Sequence, residues 1–236
     1  MFRDIVNFLG KNLIPFNNPR VVCPPGPLPT ASGKPIIVAS IMRSGTHIAI
    51  DMLLNNFPSI ANSPLYLDAD QFFRSKNNRE KYLQGNLEIG HCVVKTHYPQ
   101  LFPEEKNAIF KDLISKSHVI LLHRPVDQTY RSLSAWVETQ DFEAYKESVS
   151  EFYEFWHAAA PDRLDVSFED LTDPIGFLKL ISMVEEKTGL ERRSRTKYPV
   201  NPKNTWVMIV TKIATRWFGI NAPTINTGIR SGMSGK

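Results

Sequence analysis

The stretch PIIVASIMRSGTHI, from Pro35 to Ile48, decides the fold that this sequence predicts. It begins as a short apolar run rich in β-branched residues and then turns abruptly through Arg43, Ser44 and Gly45 into a helical pattern. The run predicts a buried strand, and the turn predicts a loop at a helix N-terminus, where exposed backbone N–H groups bind phosphate. We therefore expect this loop to hold a phosphate group and the rest of the chain to be arranged around it.

The alternation of strand and helix patterns continues along the chain. Further strands are predicted at 91–95, 119–122 and 164–168, and helices at 48–57, 103–117, 127–136, 142–159 and 174–187. The polar segment 59–88 predicts an irregular region with few periodic residues. The alternation as a whole predicts an α/β fold, a single three-layer domain with a central, mostly parallel sheet and a P-loop-like loop.

The two ends of the chain carry simpler patterns. Residues 1–34 predict a short amphipathic helix and an extended, proline-rich lead-in, and residues 35–236 predict the main domain. Residues 204–219 carry apolar side chains on one helical face. Packing of this tail against the domain is the first interpretation, and contact with a membrane surface is the second.

The composition excludes several broad classes of protein. Lys and Arg number 28 against 24 Asp and Glu, the net charge is +4, and 42% of the residues are hydrophobic. These values are unlike those of a disordered chain or of a strong polyanion binder, so no nucleic-acid partner is expected. The chain has two cysteines and no secretory or membrane-spanning apolar run near its start, which predicts a cytoplasmic protein.

The loop supplies hydrogen-bond donors beyond its backbone. Arg43, Ser44, Gly45, Thr46 and His47 follow one another and place cationic and hydroxyl side chains around a glycine turn, which suits an anion. The ATP-binding pattern GxxxxGK[ST] is not matched, because no lysine follows Gly45. Taken alone, this turn also fits a purely structural connection between a strand and a helix.

Two further strand ends carry polar side chains. The segment VVKTHYP places Lys95 and His97 at the end of a predicted strand, where open α/β sheets bind ligands. The segment LLHRPVDQTYRSLSAW places Arg124 after another strand and Ser132 in the helix that follows. Taken alone, each segment also fits a structural role, as a hydrogen-bonded core histidine or a solvated helix start.

In this order the three segments resemble those of the sulfotransferases that use 3′-phosphoadenosine 5′-phosphosulfate (PAPS). MRSGTH resembles the family's 5′-phosphosulfate loop, which reads PKSGTTW in cytosolic members and has arginine for the lysine in many carbohydrate and bacterial members. VVKTHYP is similar to the segment with the family's catalytic histidine, and HRPVDQTYRS to its 3′-phosphate segment of the type RNPKDVAVSYY. FEDL, from Phe168, is similar to the family's YEDL, and RSG, from Arg230, resembles its late RKG.

The resemblance implies a reaction and a set of residues. The reaction is the transfer of a sulfuryl group from PAPS, as co-substrate, to a hydroxyl or amine of a small-molecule or carbohydrate acceptor, without a metal ion. His97 would be the catalytic general base, and Arg43 and Lys95 would stabilise the leaving phosphate. The residues implied to bind the co-substrate are Arg43, Ser44, Gly45, Thr46, His47, Arg124, Ser132, Phe168, Arg230, Ser231 and Gly232.

Some positions depart from the family pattern. Ile48 stands where the family has the tryptophan that stacks on adenine, His47 replaces its second threonine, and the late RKGxxGDW pattern reads RSGMSGK. Two other functions stay open, a P-loop kinase acting on a nucleotide or small molecule and a nucleotide-binding scaffold without catalysis. The sequence leaves the acceptor and the oligomeric state undetermined.

Overall fold

The computed structural model describes residues 33–60, 66–100, 107–135, 138 and 141–198. Helices and strands alternate through these ranges, as the sequence predicts. The elements are β1 (Ile36–Ser40), α1 (Thr46–Asn56), β2 (Leu67–Asp68), α2 (Ala69–Phe72), α3 (Lys76–Leu83), β3 (Val93–Thr96), α4 (Asn107–Ser115), β4 (His118–His123), α5 (Val126–Ser134), α6 (Phe142–Ala159), β5 (Leu164–Ser167), α7 (Phe168–Thr172) and α8 (Pro174–Thr188).

The strands of the described residues form one five-stranded sheet in the order β2-β3-β1-β4-β5, and every neighbouring pair is parallel. β1 lies at the centre, where Val38 is opposite both Lys95 of β3 and Ile120 of β4. Because the strands are parallel, their carboxyl ends share one edge of the sheet, which is where such sheets bind ligands. The predicted α/β class with a central parallel sheet is confirmed.

Helices cover both faces of the sheet. Ile37 of β1 belongs to the core that contains α4 and α6 side chains, whereas its neighbour Val38 belongs to the core that contains α1 and α8 side chains. This alternation follows from the two-residue period of a strand. Trp156 of α6 and Phe177 of α8 are among the buried aromatic side chains of the two cores. Burial of both faces explains why the strands appear in the sequence as nearly continuous apolar runs.

Local signals in the sequence set the ends of the longest helices. The Asp141 carboxylate accepts hydrogen bonds from the first backbone N–H groups of α6, at 3.0 and 3.1 Å. Asp173 does the same for α8, which begins with Pro174 and ends at Gly189 in the left-handed region, at φ 68°. These are the preferred residue types for helix starts and ends, and the predicted bounds therefore agree closely with the structure.

The prediction of an irregular region over 59–88 is wrong in part, because this segment holds β2, α2 and α3. β2 has only two residues, Leu67 and Asp68, which are too few to give a periodic signal, and it forms by pairing with β3. Asp68 then caps α2 and Ser75 caps α3 through side-chain hydrogen bonds. Tertiary pairing and short caps thus create order that hydrophobic periodicity does not reveal.

Three other predictions have different outcomes. The sequence predicts a strand as far as Phe168, whereas Phe168 begins α7, because the Ser167 hydroxyl accepts a hydrogen bond from the Asp170 N–H at 3.0 Å and caps that helix. The predicted N-terminal helix and the amphipathic tail at 204–219 lie outside the described residues. In the described part of the chain, no helix has both the length and the apolarity to cross a membrane.

Candidate active site

The carboxyl edge of the sheet gathers the polar residues that the sequence singles out. The loop 41–45 follows β1, His97 follows β3, Arg124 follows β4, and Phe168 follows β5. Their separation along the chain is large, but the parallel pairing of adjacent strands brings them to the same edge. Several of the predicted site residues therefore lie at the same edge of the sheet, and the contacts described below show what they can do chemically.

The loop after β1 has an unusual backbone. Arg43 has a φ of 73° and Gly45 a φ of 93°, so both lie in the left-handed region, which is rare for a residue with a side chain. A Cβ atom on Gly45 would lie 2.8 Å from Cδ2 of Phe168, so this close contact requires glycine. No side chain caps the N-terminus of α1 at Gly45. Together these features leave backbone N–H groups at the helix start without a side-chain cap, an arrangement that suits anion binding.

A buried hydroxyl in the same loop points to a missing partner. Ser44 is fully buried, and its Oγ has no hydrogen-bond partner among the described residues. A buried hydroxyl without a partner is costly, and in native proteins such groups usually serve a ligand or a bound water. The Ser44 hydroxyl therefore fits a loop that binds phosphate oxygens.

Two arginines meet at the loop. Nη1 of Arg124 donates to the backbone carbonyl of Arg43 at 2.7 Å, and Nε of Arg43 donates to Oγ of Ser132 at 3.1 Å. Burial lowers the pKa of both guanidinium groups, and the charge of Arg124 lowers the pKa of Arg43 further. Arginine stays charged at any physiological pH, so the pair concentrates positive charge at the first turn of α1. A bound anion would offset this repulsion.

Phe168 belongs to the same cluster and contacts both Arg124 and the loop. Its ring lies 3.9 Å from the guanidinium carbon of Arg124 and also against Gly45. A cation over an aromatic face is stabilised by the ring quadrupole. Phe168 therefore holds Arg124 in place beside the loop, and its implied position near adenine stays a prediction.

His97 is held in one tautomer by the neighbouring strand. Its Nδ1 lies 2.6 Å from the backbone carbonyl oxygen of Ser40, and because a carbonyl only accepts, Nδ1 carries the proton. The lone pair of the neutral ring is then on Nε2. Burial lowers the pKa of His97 to about 3, and the charge of Lys95 acts in the same direction. The unliganded imidazole is therefore neutral at physiological pH, with the lone pair of Nε2 as its proton-accepting site.

Asp70 positions His97 and is a residue that the sequence analysis missed. Its Oδ2 accepts a hydrogen bond from the backbone N–H of His97 at 2.7 Å, and its Oδ1 accepts one from the Thr96 hydroxyl at 2.6 Å. Burial raises the pKa of this carboxyl to about 6. Asp70 lies in the segment predicted to be irregular, and no motif or spacing in the sequence connects it to His97.

Lys95 also has a partner that the sequence does not indicate. Its Nζ lies 2.8 Å from Oδ2 of Asp68, and both side chains are largely buried. The carboxylate offsets much of the lysine charge, which makes Lys95 a weaker electrostatic partner for a leaving group than Arg43. Its implied catalytic role stays a prediction.

The remaining predicted residues divide into two groups. The Thr46 hydroxyl lies 2.6 Å from the Ser40 hydroxyl, beneath the loop, and the His47 ring is 6.1 Å from the ring of Tyr66. Arg230, Ser231 and Gly232 lie outside the described residues.

Comparisons with known proteins do not identify a family. No protein-family model and no curated protein sequence matches the chain. Solved structures with 15% identity include shikimate kinase from Bacteroides thetaiotaomicron, with a TM-score of 0.42 over 66% of this chain and 98% of that chain. They also include retinol dehydratase with androsterone and inactive cofactor PAP, with a TM-score of 0.33 over 77% of this chain and 63% of that one. Another is retinol dehydratase with retinol and PAP, with a TM-score of 0.33 over 89% of this chain and 83% of that chain. With TM-scores this low, these similarities carry no argument about function.

Proposed function

We propose that this protein is a sulfotransferase that moves a sulfuryl group from PAPS to a hydroxyl or amine of a small-molecule or carbohydrate acceptor. One observation supports the proposal most. The neutral His97, with its lone pair on Nε2, lies at the same sheet edge as the loop braced by Arg124. Sulfuryl transfer needs both parts, because the acceptor loses a proton while the leaving phosphate gains negative charge.

The loop after β1 is the proposed site of the 5′-phosphate of the donor. Backbone N–H groups at the start of α1 and the partnerless hydroxyl of Ser44 supply neutral donors, and Arg43 supplies a full charge. A helix N-terminus adds a further positive partial charge. Donors fixed by the backbone need no rearrangement when charge develops during the reaction, so they stabilise it effectively.

Arg124 and Ser132 are the proposed partners of the 3′-phosphate. Both lie next to Arg43. Arg124 donates a hydrogen bond to the Arg43 backbone carbonyl, and Ser132 accepts one from the Arg43 side chain. An anion with two phosphate groups would interact with both guanidinium groups and so offset the repulsion between them. This arrangement favours a 3′,5′-bisphosphate over a nucleotide with one phosphorylated position.

In the proposed reaction, the acceptor oxygen or nitrogen attacks the donor sulfur in line with the bond from sulfur to the 5′-phosphate oxygen. A new bond to sulfur forms as that bond breaks, and its electron pair leaves with the 3′,5′-bisphosphate. The acceptor proton passes to Nε2 of His97. The low pKa of the unliganded His97 makes it a weak base, but the negative charges of a bound donor raise the basicity of the ring.

Nucleotide binding is the first test of the proposal. Calorimetry would compare 3′-phosphoadenosine 5′-phosphate, 5′-AMP and ATP with magnesium on the wild type and on Arg124→Gln. We expect the bisphosphate to bind tightest. Because a charge-assisted contact to the 3′-phosphate is lost, we expect Arg124→Gln to weaken binding of the bisphosphate by about 10-fold or more and binding of 5′-AMP by a smaller factor. Arg131→Gln is the matched control, since Arg131 lies on α5, the helix that follows Arg124, and is exposed and paired with Asp127. Preference for ATP would favour the kinase alternative instead.

Transfer of a labelled sulfuryl group to a panel of sugars, phenols, alcohols and amines is the second test. His97→Ala should keep the affinity for the bisphosphate and lose about 10²-fold or more of turnover, because a general base contributes at least this much. Near-normal turnover in His97→Ala would refute its role. Tight binding without transfer to any acceptor would favour the scaffold alternative.

A further inference from the structure

A second group of polar side chains, which includes the residue before Arg124, has no part in the proposed reaction. His123 ends β4, Asp165 lies in β5, and His157 lies in the last turn of α6. One ligand atom from each of these three residues lies within 4.8 Å of the others. Nothing in the proposed sulfuryl transfer uses them, and their sequence positions give no motif.

The geometry of this cluster is fixed by its surroundings. The ring of His123 stacks on Tyr153 with centroids 4.8 Å apart and planes 6° apart, and the Tyr153 hydroxyl donates to the Leu122 carbonyl at 3.1 Å. Nε2 of His123 lies 2.6 Å from Oδ1 of Asp165. Nε of Arg163 donates to the same carboxylate oxygen at 2.9 Å. The histidine ring and the carboxylate are therefore held in their orientation by neighbours.

We propose that His123, His157 and Asp165 bind one divalent transition-metal ion of the Zn²⁺ type. Two imidazoles and one carboxylate are a typical ligand set for zinc, and a water molecule completes a tetrahedral site. Ligands bonded to zinc at about 2.0–2.2 Å lie roughly 3.5 Å apart, so small side-chain rotations bring the three groups to bonding distance.

The neighbours of the cluster suit this role. Tyr153 and Arg163 orient two of the ligands, and groups that orient ligands in this way contribute strongly to metal affinity. The positive charge of Arg163 works against a cation. Arg163 donates to Oδ1 of Asp165, so the proposed metal ligand is the second carboxylate oxygen, Oδ2. His157 is exposed, which gives the ion a direct path from solvent. The site would join β4, β5 and the end of α6.

Zinc binding to the untagged, full-length protein tests the proposal without reference to catalysis. Chelator-treated wild-type protein, His157→Gln and Asp165→Asn would each be titrated with ZnCl₂ at neutral pH against a zinc indicator. His118→Gln is the matched control, because His118 lies at the opposite end of β4. We expect the wild type and His118→Gln to bind one zinc ion each. Removing a ligand by His157→Gln should weaken binding by at least about 10-fold, since even groups that only orient a ligand contribute that much.

Thermal unfolding supplies a second readout for the same proteins. Zinc should raise the Tm of the wild type and of His118→Gln, and it should raise the Tm of His157→Gln much less, because only metal bound to the folded state stabilises it. An unchanged Tm of metal-free His157→Gln would show that the variant is folded. No stoichiometric zinc binding by the wild type, or equal affinities in the wild type and His157→Gln, would overturn the proposal.

Discussion

The buried imidazole of His97 makes a specific contribution to the pH dependence of stability. In the folded state burial lowers its pKa to about 3, and in the unfolded chain an ordinary histidine has a pKa of about 6.5. The neutral ring thus stabilises the fold above pH 6.5, and this contribution is lost as the pH falls, because only the unfolded chain takes up the proton. Between pH 7 and pH 5 the loss from this one group is about 2 kcal/mol.

This magnitude does not depend on the depth of the pKa shift. As long as the folded pKa of His97 lies well below 5, protonation of the unfolded chain alone sets the loss of about 2 kcal/mol over this range. Asp70 acts in the opposite direction, because its folded pKa is raised to about 6 and its stabilising protonation increases as the pH falls. Asp70 alone adds about 1 kcal/mol of stability between pH 7 and pH 5.

Comparing the pH dependence of stability in the wild type and in His97→Gln isolates the contribution of the histidine ring. Urea unfolding of the wild type and of His97→Gln would be followed by circular dichroism at pH 7, 6 and 5. The variant keeps the backbone N–H that Asp70 accepts from, so the Asp70 contribution is retained in both proteins. We expect the wild type to lose about 2 kcal/mol more than His97→Gln over this range. Glutamine has no group that titrates there.

Two results would refute this account. Equal losses of stability in the wild type and in His97→Gln would show that the ring of His97 is not held neutral by the fold. Long-range proton–nitrogen NMR reports the tautomer directly. A proton on Nε2 at neutral pH would contradict the hydrogen bond from Nδ1 to Ser40, and with it the assignment of Nε2 as the proton acceptor.

Three further substitutions test the fold around the site. Gly45→Ala places a Cβ 2.8 Å from Cδ2 of Phe168 at a φ of 93°, so it should destabilise the protein by about 1–2 kcal/mol or more in urea unfolding and weaken nucleotide binding in calorimetry. Asp141→Ala removes the cap of α6 and should lower the free energy of unfolding by about 1 kcal/mol in the same assay. Asp141→Asn is the control, because asparagine also caps helices and should keep most of this stability. Trp156→Phe removes the hydrogen bond from Nε1 to the Tyr98 carbonyl and reduces the apolar area buried by this fully buried side chain. It should therefore lower the free energy of unfolding by about 1–3 kcal/mol, and a loss below about 0.5 kcal/mol would contradict this role.

The sequence determined most of the local structure, including the turn from β1 into α1. Apolar runs predicted the buried strands, because both faces of the sheet are covered by helices. The capping residues Asp141, Asp173 and Gly189 set ends of α6 and α8. The residues from Arg43 to Gly45 predicted the tight turn from β1 into α1, since turn residues of this type act over a few neighbouring positions. These are interactions within a few residues, and a single sequence displays them.

Only the tertiary structure decided how the site is assembled. The order of the strands places His97 beside Ser40 and fixes its tautomer, and Asp70 reaches the His97 backbone across 27 positions in the chain. The contact between Arg43 and Ser132 spans 89 positions, and the convergence of His123, His157 and Asp165 depends on the pairing of β4 with β5. Such contacts form because packing of the sheet and helices brings distant segments together. A hydrophobic pattern that repeats every two or 3.6 residues shows which face of a strand or helix is buried. It does not show which distant segment packs against that face.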